Sequence, residues 1–312
     1  MSILLSLLLL VVSFLLLIKG ADYFVEGASN IAERFGIPQL VIGLTIVAFG
    51  TSAPEAAVSI SAALKGSTGI AIGNIIGSNI FNILIILGIA SCISTLAVNR
   101  LTVRYEIPFV ILTSIVLVAI GAFFGELNFI AGIILWVLFL IFMFYLYKVV
   151  KTSPAPETDE ESFRHDSLIK SILFTVLGLI AIVAGSYIAV DSASNIARFL
   201  GVTERIIGLT IVAFGTSLPE LMTSVAAARK NKADIAIGNI VGSNIFNILF
   251  VLGTTALIKT VPYSSNFVID GIVCIFAAVL LYIGVFKNHK LTRRTGIIML
   301  ICYAIYFIYL LL

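Results

Sequence analysis

Long apolar runs recur from end to end of this 312-residue chain and constrain its fold more than any other feature. Each run is long enough to cross the hydrocarbon core of a bilayer, which takes roughly 20 apolar helical residues. Lipid offers the backbone no hydrogen-bond partners, so a spanning segment must satisfy its own peptide groups, which favours helices over open sheets. The composition agrees, because 60% of the residues are hydrophobic and only 11% are charged. The sequence therefore predicts an all-α integral membrane protein.

Charged or turn-rich breaks divide the chain into ten predicted spans. These cover residues 2–18, 38–64, 69–95, 104–122, 127–147, 168–190, 203–228, 233–257, 265–285 and 295–312. The first run lacks a basic start and a small-residue cleavage site, so we interpret it as a retained span rather than a signal peptide. Residues 148–167 are polar, acidic and proline-containing, and predict a linker between a first unit, 1–147, and a second unit, 168–312.

The two units are copies of each other. Residues 43–88 align without a gap on residues 208–253, with 32 identities in 46 positions. The shared letters include Thr, Ser, Pro, Glu and Asn, which a mere likeness of apolar composition would not produce. Because each unit holds an odd number of spans, the second copy starts on the opposite side of the membrane. The sequence thus predicts ten transmembrane helices in two inverted five-helix repeats, an architecture of secondary transporters with sites near the midplane.

The basic residues support this span count. Fifteen of the 19 Lys and Arg fall on one side of the predicted topology. The four on the other side are Lys65, Arg198, Arg205 and Lys259. An excess of positive charge marks the cytoplasmic side of a membrane protein. We therefore expect a plasma-membrane protein with a cytoplasmic linker and both termini outside.

Two related motifs place a carboxylate deep in the predicted membrane: GTSAPE at residues 50–55 and GTSLPE at residues 215–220. Glu55 and Glu220 lie well inside their spans, where a charged side chain costs at least ~2.5 kcal/mol. Every Lys and Arg lies near a span end, so no basic partner is expected within reach. The carboxylates must therefore be protonated or neutralised by a bound cation.

Hydroxyl, amide and carbonyl groups share the faces that carry these acids. At helical spacing, one stripe in each half joins Ala48, Thr51, Ser52, Glu55 and Ser59, or Ala213, Thr216, Ser217, Glu220 and Ser224. The next spans present Asn74, Ser78 and Asn82, or Asn239, Ser243 and Asn247, on one face. Pro54 and Pro219 free the carbonyls of Gly50 and Gly215, because proline removes an N–H and blocks the residue four positions back. A set made only of oxygens suits hard cations such as Ca²⁺, and Na⁺ by the same logic.

The charge of this site predicts exchange rather than one-way transport. Two ionised glutamates balance one divalent ion or two monovalent ions. An empty site would leave two uncompensated charges in a low-dielectric interior, at a cost of several kcal/mol. We therefore expect the loaded site to cross the membrane and the empty site not to.

Other residues in these segments have structural explanations. The Gly-x-x-x-Gly patterns at 73–77 and 238–242 are predicted to pack helices closely. We interpret Asn79 and Asn244 as structural, since they point off the polar stripe. The acids Asp22, Glu26 and Asp191 are interpreted as interfacial, with an ion pathway as the alternative.

The paired GTS-PE and GSNIFN motifs, in two inverted five-span halves, resemble the sodium/calcium exchanger family, most closely its compact prokaryotic members. The resemblance covers essentially the whole chain. It implies that Glu55 and Glu220 are the central acids. It implies these further ligands: the hydroxyls of Thr51, Ser52, Ser78, Thr216, Ser217 and Ser243, the carbonyls of Ala48 and Ala213, and the amide of Asn82.

The resemblance also has implications for potassium dependence, for conformational change and for regulation. Asn247, which completes the predicted ion-binding set, occupies a position that is Asp in some members, including potassium-dependent ones. The site thus has two ionisable acids, which argues against potassium dependence. In family members the first and sixth spans slide over the other eight, and the resemblance implies that motion here. The linker is too short for the large calcium-sensing domains of animal exchangers.

The sequence thus predicts an antiporter that exchanges Na⁺ for Ca²⁺ by alternating access. It is not expected to be an enzyme, and it shows no cofactor signature and no nucleic-acid signature. Its three cysteines are unclustered, which predicts neither a disulfide nor a zinc site. The expected partners are Ca²⁺, Na⁺ and the bilayer, and a monomer is expected to suffice for transport. The alternative is an antiporter of Ca²⁺, or of another divalent cation, against H⁺, and a cation channel with a glutamate ring is a more distant one.

Overall fold

The computed structural model describes residues 3–152, 167–201 and 213–311. In the first unit the α-helices are α1 (Ile3–Arg34), α2 (Gln39–Ile42), α3 (Ala48–Thr51), α4 (Ala53–Leu64), α5 (Thr68–Phe81), α6 (Gly88–Ile93), α7 (Ile107–Phe124) and α8 (Phe129–Thr152). In the second they are α9 (Leu168–Phe199), α10 (Ala213–Thr216), α11 (Leu218–Arg229), α12 (Ala233–Phe246), α13 (Gly253–Ile258), α14 (Ser265–Phe286) and α15 (Arg293–Leu311). Wider π-helical turns, Gly43–Val47, Asn82–Leu87, Thr102–Glu106 and Asn247–Leu252, join several of these segments into continuous rods.

The apolar runs form membrane-length helices, as expected. Among the described residues, eight helices are long and apolar enough to span a membrane. A ninth candidate is the bent pair Gln39–Thr51 and Ala53–Leu64, whose halves meet at 49°. The remaining predicted span, 203–228, falls partly outside the described residues, which resume at 213. The prediction of an all-α membrane protein is confirmed, apart from four strands of two residues each.

Helices α1 and α9 are longer than their predicted spans. Each has 32 residues, or ~48 Å at ~1.5 Å per residue, against a hydrocarbon core of ~30 Å. The predicted spans end at residues 18 and 190, directly before the charged residues Lys19 and Asp191. Helical hydrogen bonds do not require apolar side chains once the chain leaves lipid, so both helices continue into water. Helix α8 likewise runs to Thr152, past the predicted start of the linker.

A seam of small residues joins α1 to α9, which run antiparallel. Buried small residues recur every seven positions on both helices: Ser6, Ser13, Gly20 and Gly27 on α1, and Ser171, Gly178, Gly185 and Ser192 on α9. A Cβ atom at Gly178 would lie 2.6 Å from the backbone nitrogen of Phe24, and one at Gly185 would lie 3.0 Å from the carbonyl oxygen of Ser13. Small residues at such spacing let two backbones approach closely. The two helices therefore pack as one pair.

Two short antiparallel ladders pin loops from the two units together. Strand β1 (Leu96–Ala97) pairs with β4 (Lys290–Leu291), and β2 (Glu126–Leu127) pairs with β3 (Val261–Pro262). The loops after the third and ninth predicted spans therefore share one end of the molecule. The loops after the fourth and eighth spans share a separate ladder, as the predicted topology requires. The sequence analysis did not predict these strands, because two residues are too few for a periodic pattern.

The rod formed by α12, its π-turn and α13 is the most buried of the candidate spans. Gly242 lets it approach the second span, since a Cβ there would lie 2.6 Å from the carbonyl oxygen of Leu44. The packing role predicted for the glycine pattern at 238–242 is thereby confirmed. For the pattern at 73–77 the corresponding partner segment lies mostly outside the described residues.

Candidate ion-binding site

A break in one helix of each unit builds the site. Helix α3 ends at Thr51 and α4 begins at Ala53, and between them Ser52 has φ −82° and ψ 5°. Ser217 interrupts the second unit in the same way, with φ −92° and ψ 6°. Pro54 and Pro219 are tolerated just after these breaks because the N–H groups in the first turn of a helix have no acceptor within the helix, so a missing N–H costs no hydrogen bond. Glu55 and Glu220 thus lie in the first turns of α4 and α11, where the positive end of the helix dipole favours an anion.

The serines at the two breaks hold the carboxylates face to face. The Ser52 hydroxyl donates to Oε1 of Glu220 at 2.7 Å. Reciprocally, the Ser217 hydroxyl donates to Oε1 of Glu55 at 3.0 Å. All four residues are fully buried. Two acids that are 165 residues apart in sequence therefore meet at one centre.

Four oxygen atoms of the site residues are buried and have no hydrogen-bond partner among the described residues. They are Oε2 of Glu55, Oε2 of Glu220, Oδ1 of Asn82 and Oδ1 of Asn247, two from each unit. Within the described ranges, neither glutamate forms an ion pair with a Lys or Arg. A buried acceptor without a partner costs about 1–3 kcal/mol, and more when it is charged. The arrangement is therefore an incomplete set of acceptors that a cation would complete.

Behind the site, hydrogen bonds among four asparagines form a bracket that orients two of these oxygens. The four are Asn79, Asn82, Asn244 and Asn247. The side-chain amides of Asn79 and Asn244 each donate to the backbone carbonyl oxygen of the other residue at 3.1 Å. Their Oδ1 atoms accept from Asn247 and Asn82 respectively, also at 3.1 Å. The donor groups of Asn82 and Asn247 are thus used in the bracket, and their oxygens remain free. This agrees with the structural role predicted for Asn79 and Asn244.

Each of these site asparagines also opens a π-helical turn. The turns run Asn82–Leu87 and Asn247–Leu252. Turns of this kind are rare and concentrate at functional sites. The sequence does not predict these turns, and its only signal for them is the repetition of the GSNIFN motif in both units.

The other predicted ligands line the same centre to differing degrees. The Ser78 hydroxyl lies 3.3 Å from the Ser217 hydroxyl, and the Ser243 hydroxyl donates to the carbonyl oxygen of Ala48 at 3.4 Å. The Thr51 hydroxyl lies 3.0 Å from Oδ1 of Asn239 and also 3.0 Å from the carbonyl oxygen of Val47.

The second unit is less fully described at the equivalent positions. Thr216 is half-buried in α10. Ala213 is the first described residue of its segment, and its side chain lies outside the described residues. The Gly215 carbonyl, freed by Pro219, accepts a hydrogen bond from Ser186 of α9. That oxygen is therefore capped rather than open to an ion. In the first unit the position equivalent to Ser186 is Ala21, which has no hydroxyl to donate to the Gly50 carbonyl.

The chemistry of the donor set decides which ions fit. It contains carboxylate, amide, hydroxyl and carbonyl oxygens, and no thiolate or imidazole. Across the described ranges no group of three His, Cys, Asp or Glu residues could hold a metal. Two carboxylates amid neutral oxygens suit a hard cation that is bound and released, rather than a tightly held transition metal.

Comparison with known proteins places the whole chain. The family model described as sodium/calcium exchanger protein matches residues 5–148 and 170–312. The protein belongs to the sodium/calcium exchanger family. Both units of this exchanger-family protein are matched, so the assignment does not rest on the two motifs alone.

Relatives of this family member match over most of their length. The inner membrane protein YrbG of Escherichia coli is 38% identical over 284 residues, 87% of each chain. The sodium/calcium exchanger MaX1 of Methanosarcina acetivorans is 31% identical, and the match covers 97% of each chain. A solved structure of the sodium-calcium exchanger NCX_Mj, soaked with zero Na⁺ and Ca²⁺, superposes with a TM-score of 0.87 at 35% identity, covering 99% of this chain and 100% of that one.

Proposed function

We propose that this protein exchanges Na⁺ for Ca²⁺ across the plasma membrane by alternating access, with the ions bound between Glu55 and Glu220. The observation that carries the proposal is the quartet of buried, unpartnered oxygens from Glu55, Glu220, Asn82 and Asn247. Ca²⁺ takes 6–8 oxygen ligands. The quartet together with nearby hydroxyls and carbonyls supplies a set of that kind.

The proposed ligands follow from this centre. Glu55 and Glu220 bind the competing ions, and the amide oxygens of Asn82 and Asn247 complete the middle of the site. The flanking sodium positions are formed by Thr51, Ser52, Ser78, Thr216, Ser217 and Ser243 and by the carbonyls of Ala48 and Ala213. Competition for one pair of carboxylates makes the exchange obligatory, since only a loaded site is neutral.

The proposed architecture is ten helices in two inverted repeats, residues 1–147 and 168–312, with a cytoplasmic linker at 148–167 and both termini outside. The reciprocal contacts support it. The bond from Ser52 to Glu220 becomes the bond from Ser217 to Glu55 when each position is shifted by one repeat. The Asn79–Asn244 pair maps onto itself in the same way. A pseudo-two-fold axis in the membrane plane would generate these pairs.

The relatives favour sodium as the counter-ion. MaX1 is named a sodium/calcium exchanger, and structures of NCX_Mj were obtained with Na⁺, Ca²⁺ and Sr²⁺. Both are similar to this chain over nearly its full length. We therefore assign Na⁺ to the exchange and treat a proton as the competing outcome of the test.

Glutamine at either central acid tests the proposal. In proteoliposomes loaded with Na⁺, Glu55→Gln and Glu220→Gln are each expected to abolish uptake of ⁴⁵Ca²⁺, because each removes half of the charge that balances Ca²⁺. Glu126→Gln, in the β2 loop, is the control and should transport normally. Size-exclusion profiles like that of the wild type would show that the variants fold.

Near-wild-type uptake by either site variant would contradict the proposed site. Uptake driven by a pH gradient in sodium-free buffer, with none driven by sodium, would instead assign the proton as the counter-ion. The two results are separable, because the second leaves the role of the carboxylates intact.

A further inference from the structure

One end of α1 is tied to the connection between α11 and α12. Lys230 donates to the carbonyl oxygen of Asp22 at 2.6 Å and to Oε2 of Glu26 at 3.4 Å. Lys232 pairs with Oε1 of Glu33 at 3.0 Å. These contacts use the part of α1 that extends beyond its apolar stretch. They join α1 to the end of α11, the helix that carries Glu220.

The equivalent contact is not formed on the opposite side of the molecule. Shifting Glu26 and Lys230 by one repeat gives Asp191 on α9 and Lys65 after α4. In the described structure Asp191 accepts only from Asn195, at 3.2 Å. Lys65 is exposed and has no ion pair with a described residue. A charged pair is therefore present in both repeats but closed in only one.

The helix faces next to these pairs differ in the same way. Helix α1 packs along α11, and the Ala226 side chain on α11 is only 5% exposed. The equivalent face of α4 has no comparable cover from α9, and Ala53, Ala57 and Ser61 on it are exposed. Two surfaces that the repeat makes equivalent are thus in two different states. Such an asymmetry between equivalent surfaces is expected of a protein in one of two alternating conformations.

We propose that Lys230 and Lys232 form an ionic latch that holds α1 against α11 in this conformation, and that Lys65 and Asp191 form its counterpart in the opposite one. The inference rests on the alternating access of the proposed function. Because the small-residue seam packs α1 and α9 as one pair, release at the first latch and docking at the second are coupled. The first latch has contacts to Asp22, Glu26 and Glu33, whereas the second has a single acid–base pair. The difference biases the resting protein toward the conformation described here.

The size of this bias follows from the exposure of the pairs. The side chains of Lys230 and Glu26 are 31% and 44% exposed, so each ion pair is weak. A small free-energy change is still enough to shift an equilibrium between two conformations of similar stability. We expect loss of the whole latch to change the ratio of the two conformations about three- to tenfold.

Thiol labelling measures that ratio directly. Ala226→Cys and Ala57→Cys are introduced separately into a protein whose Cys92, Cys274 and Cys302 are replaced by alanine. A membrane-impermeant maleimide is applied to detergent-solubilised protein without Na⁺ or Ca²⁺. The double change Lys230→Glu and Lys232→Glu is expected to raise the labelling rate at position 226 about three- to tenfold and to lower it at position 57.

Two matched variants separate the latch from a general effect of charge. Adding Glu26→Lys and Glu33→Lys to the double variant reverses both pairs and should restore the wild-type rates. Lys65→Glu, at the repeat-equivalent position, should not raise labelling at position 226. Unchanged labelling at position 226 in the double variant, or an equal rise with Lys65→Glu, would overturn the proposal.

Flux through the same preparations keeps this test apart from that of the proposed function. If the unmodified protein exchanges Na⁺ for Ca²⁺ and labelling does not respond, only the latch fails. If the unmodified protein shows no such exchange, the proposed function fails, whatever the labelling shows.

Discussion

At the residue scale, the most informative feature is the hydrogen bonding of the individual carboxylate oxygens of Glu55 and Glu220. A carboxylate in a protein interior normally has its lone pairs filled, because an unfilled charged acceptor is costly. Glu55 and Glu220 each have one oxygen filled by a serine across the repeat and one left open. The serines fix the orientation of the acids, and the open oxygens face a common centre.

The positioning serines should matter nearly as much as the acids. Ser52→Ala and Ser217→Ala each remove a hydrogen bond to a carboxylate, worth roughly 1.5–3 kcal/mol. We expect each to raise the half-saturating Ca²⁺ concentration about tenfold or more, by comparable factors, since the two bonds are reciprocal. The measurement is ⁴⁵Ca²⁺ uptake against Ca²⁺ concentration. Ser91→Ala is the control, because Ser91 is buried but bonds only to the carbonyl oxygen of Gly88.

An unchanged Ca²⁺ dependence in both variants would mean that the carboxylates hold their positions without the serines. An effect in only one of them would show that the two acids are not equivalent in transport.

At the scale of elements, the break between α3 and α4 is the feature that most determines the geometry of the site. The 49° bend after Thr51 turns the carbonyl end of one half-helix and the amide end of the next toward the same place. A carboxylate in the first turn of the second half and a cation near the end of the first are both favoured by their helix dipoles. Such a bend is tolerated because the rod α12–α13 packs closely against it. Gly242, with its missing side chain, provides the room for that contact.

The close approach at Gly242 predicts a sharp difference between two glycine substitutions. A Cβ at Gly242 would lie 2.6 Å from the Leu44 carbonyl and 2.8 Å from the Ala48 Cβ. Gly242→Ala should therefore destabilise the protein by about 1–3 kcal/mol, the usual cost of overpacking. A Cβ atom at Gly69, in the first turn of α5, would meet no described atom within 4 Å outside its own helix backbone. Gly69→Ala should be neutral or stabilising by up to ~1 kcal/mol, because alanine favours the helix.

Thermal unfolding in detergent, followed by the loss of the monodisperse size-exclusion peak, measures both variants. Equal melting temperatures for the two would show that the second span and α12 are less closely packed in solution than in the described structure.

At the scale of the whole molecule, the proposed ion site takes residues from both units. Each unit supplies an acid, and each acid is oriented by the other unit's serine. The pairings β1–β4 and β2–β3 also join loops of different units. Binding and the relative position of the units are consequently linked, which is the physical requirement for an exchanger rather than a pore.

That linkage predicts very little leak without a counter-ion. Proteoliposomes loaded with ⁴⁵Ca²⁺ and diluted into choline buffer free of Na⁺ and Ca²⁺ should lose label at least tenfold more slowly than into Na⁺ buffer. The reason is that return of the empty site would carry two uncompensated carboxylates through the interior, at a cost of several kcal/mol. Equal efflux rates in the two buffers would point to a conductive pathway instead. Liposomes without protein provide the baseline.

Prediction from sequence succeeded where the signal was repeated and failed where it depended on contacts. The spans, the duplication and the burial of Glu55 and Glu220 could be inferred because polar letters inside apolar runs are conspicuous. The ends of α1 and α9 could not, because hydropathy detects where lipid ends and not where a helix ends. The π-turns at Asn82 and Asn247 leave no local signature. The salt bridges of Lys230 and Lys232 join residues about 200 positions apart.

By itself the sequence determined that this chain lies in a membrane as helices, and it predicts that its two acids are either protonated or neutralised by a cation, because apolar length and the cost of a buried charge are properties of the residues alone. Only the tertiary structure decided which oxygens remain open. Hydrogen bonds across the repeats fill one oxygen of each glutamate and engage the side-chain amide nitrogen of Asn82 and of Asn247, and that outcome depends on how two distant segments meet. The structure likewise decided which of two equivalent ion pairs is closed, since a sequence with two matching repeats contains both.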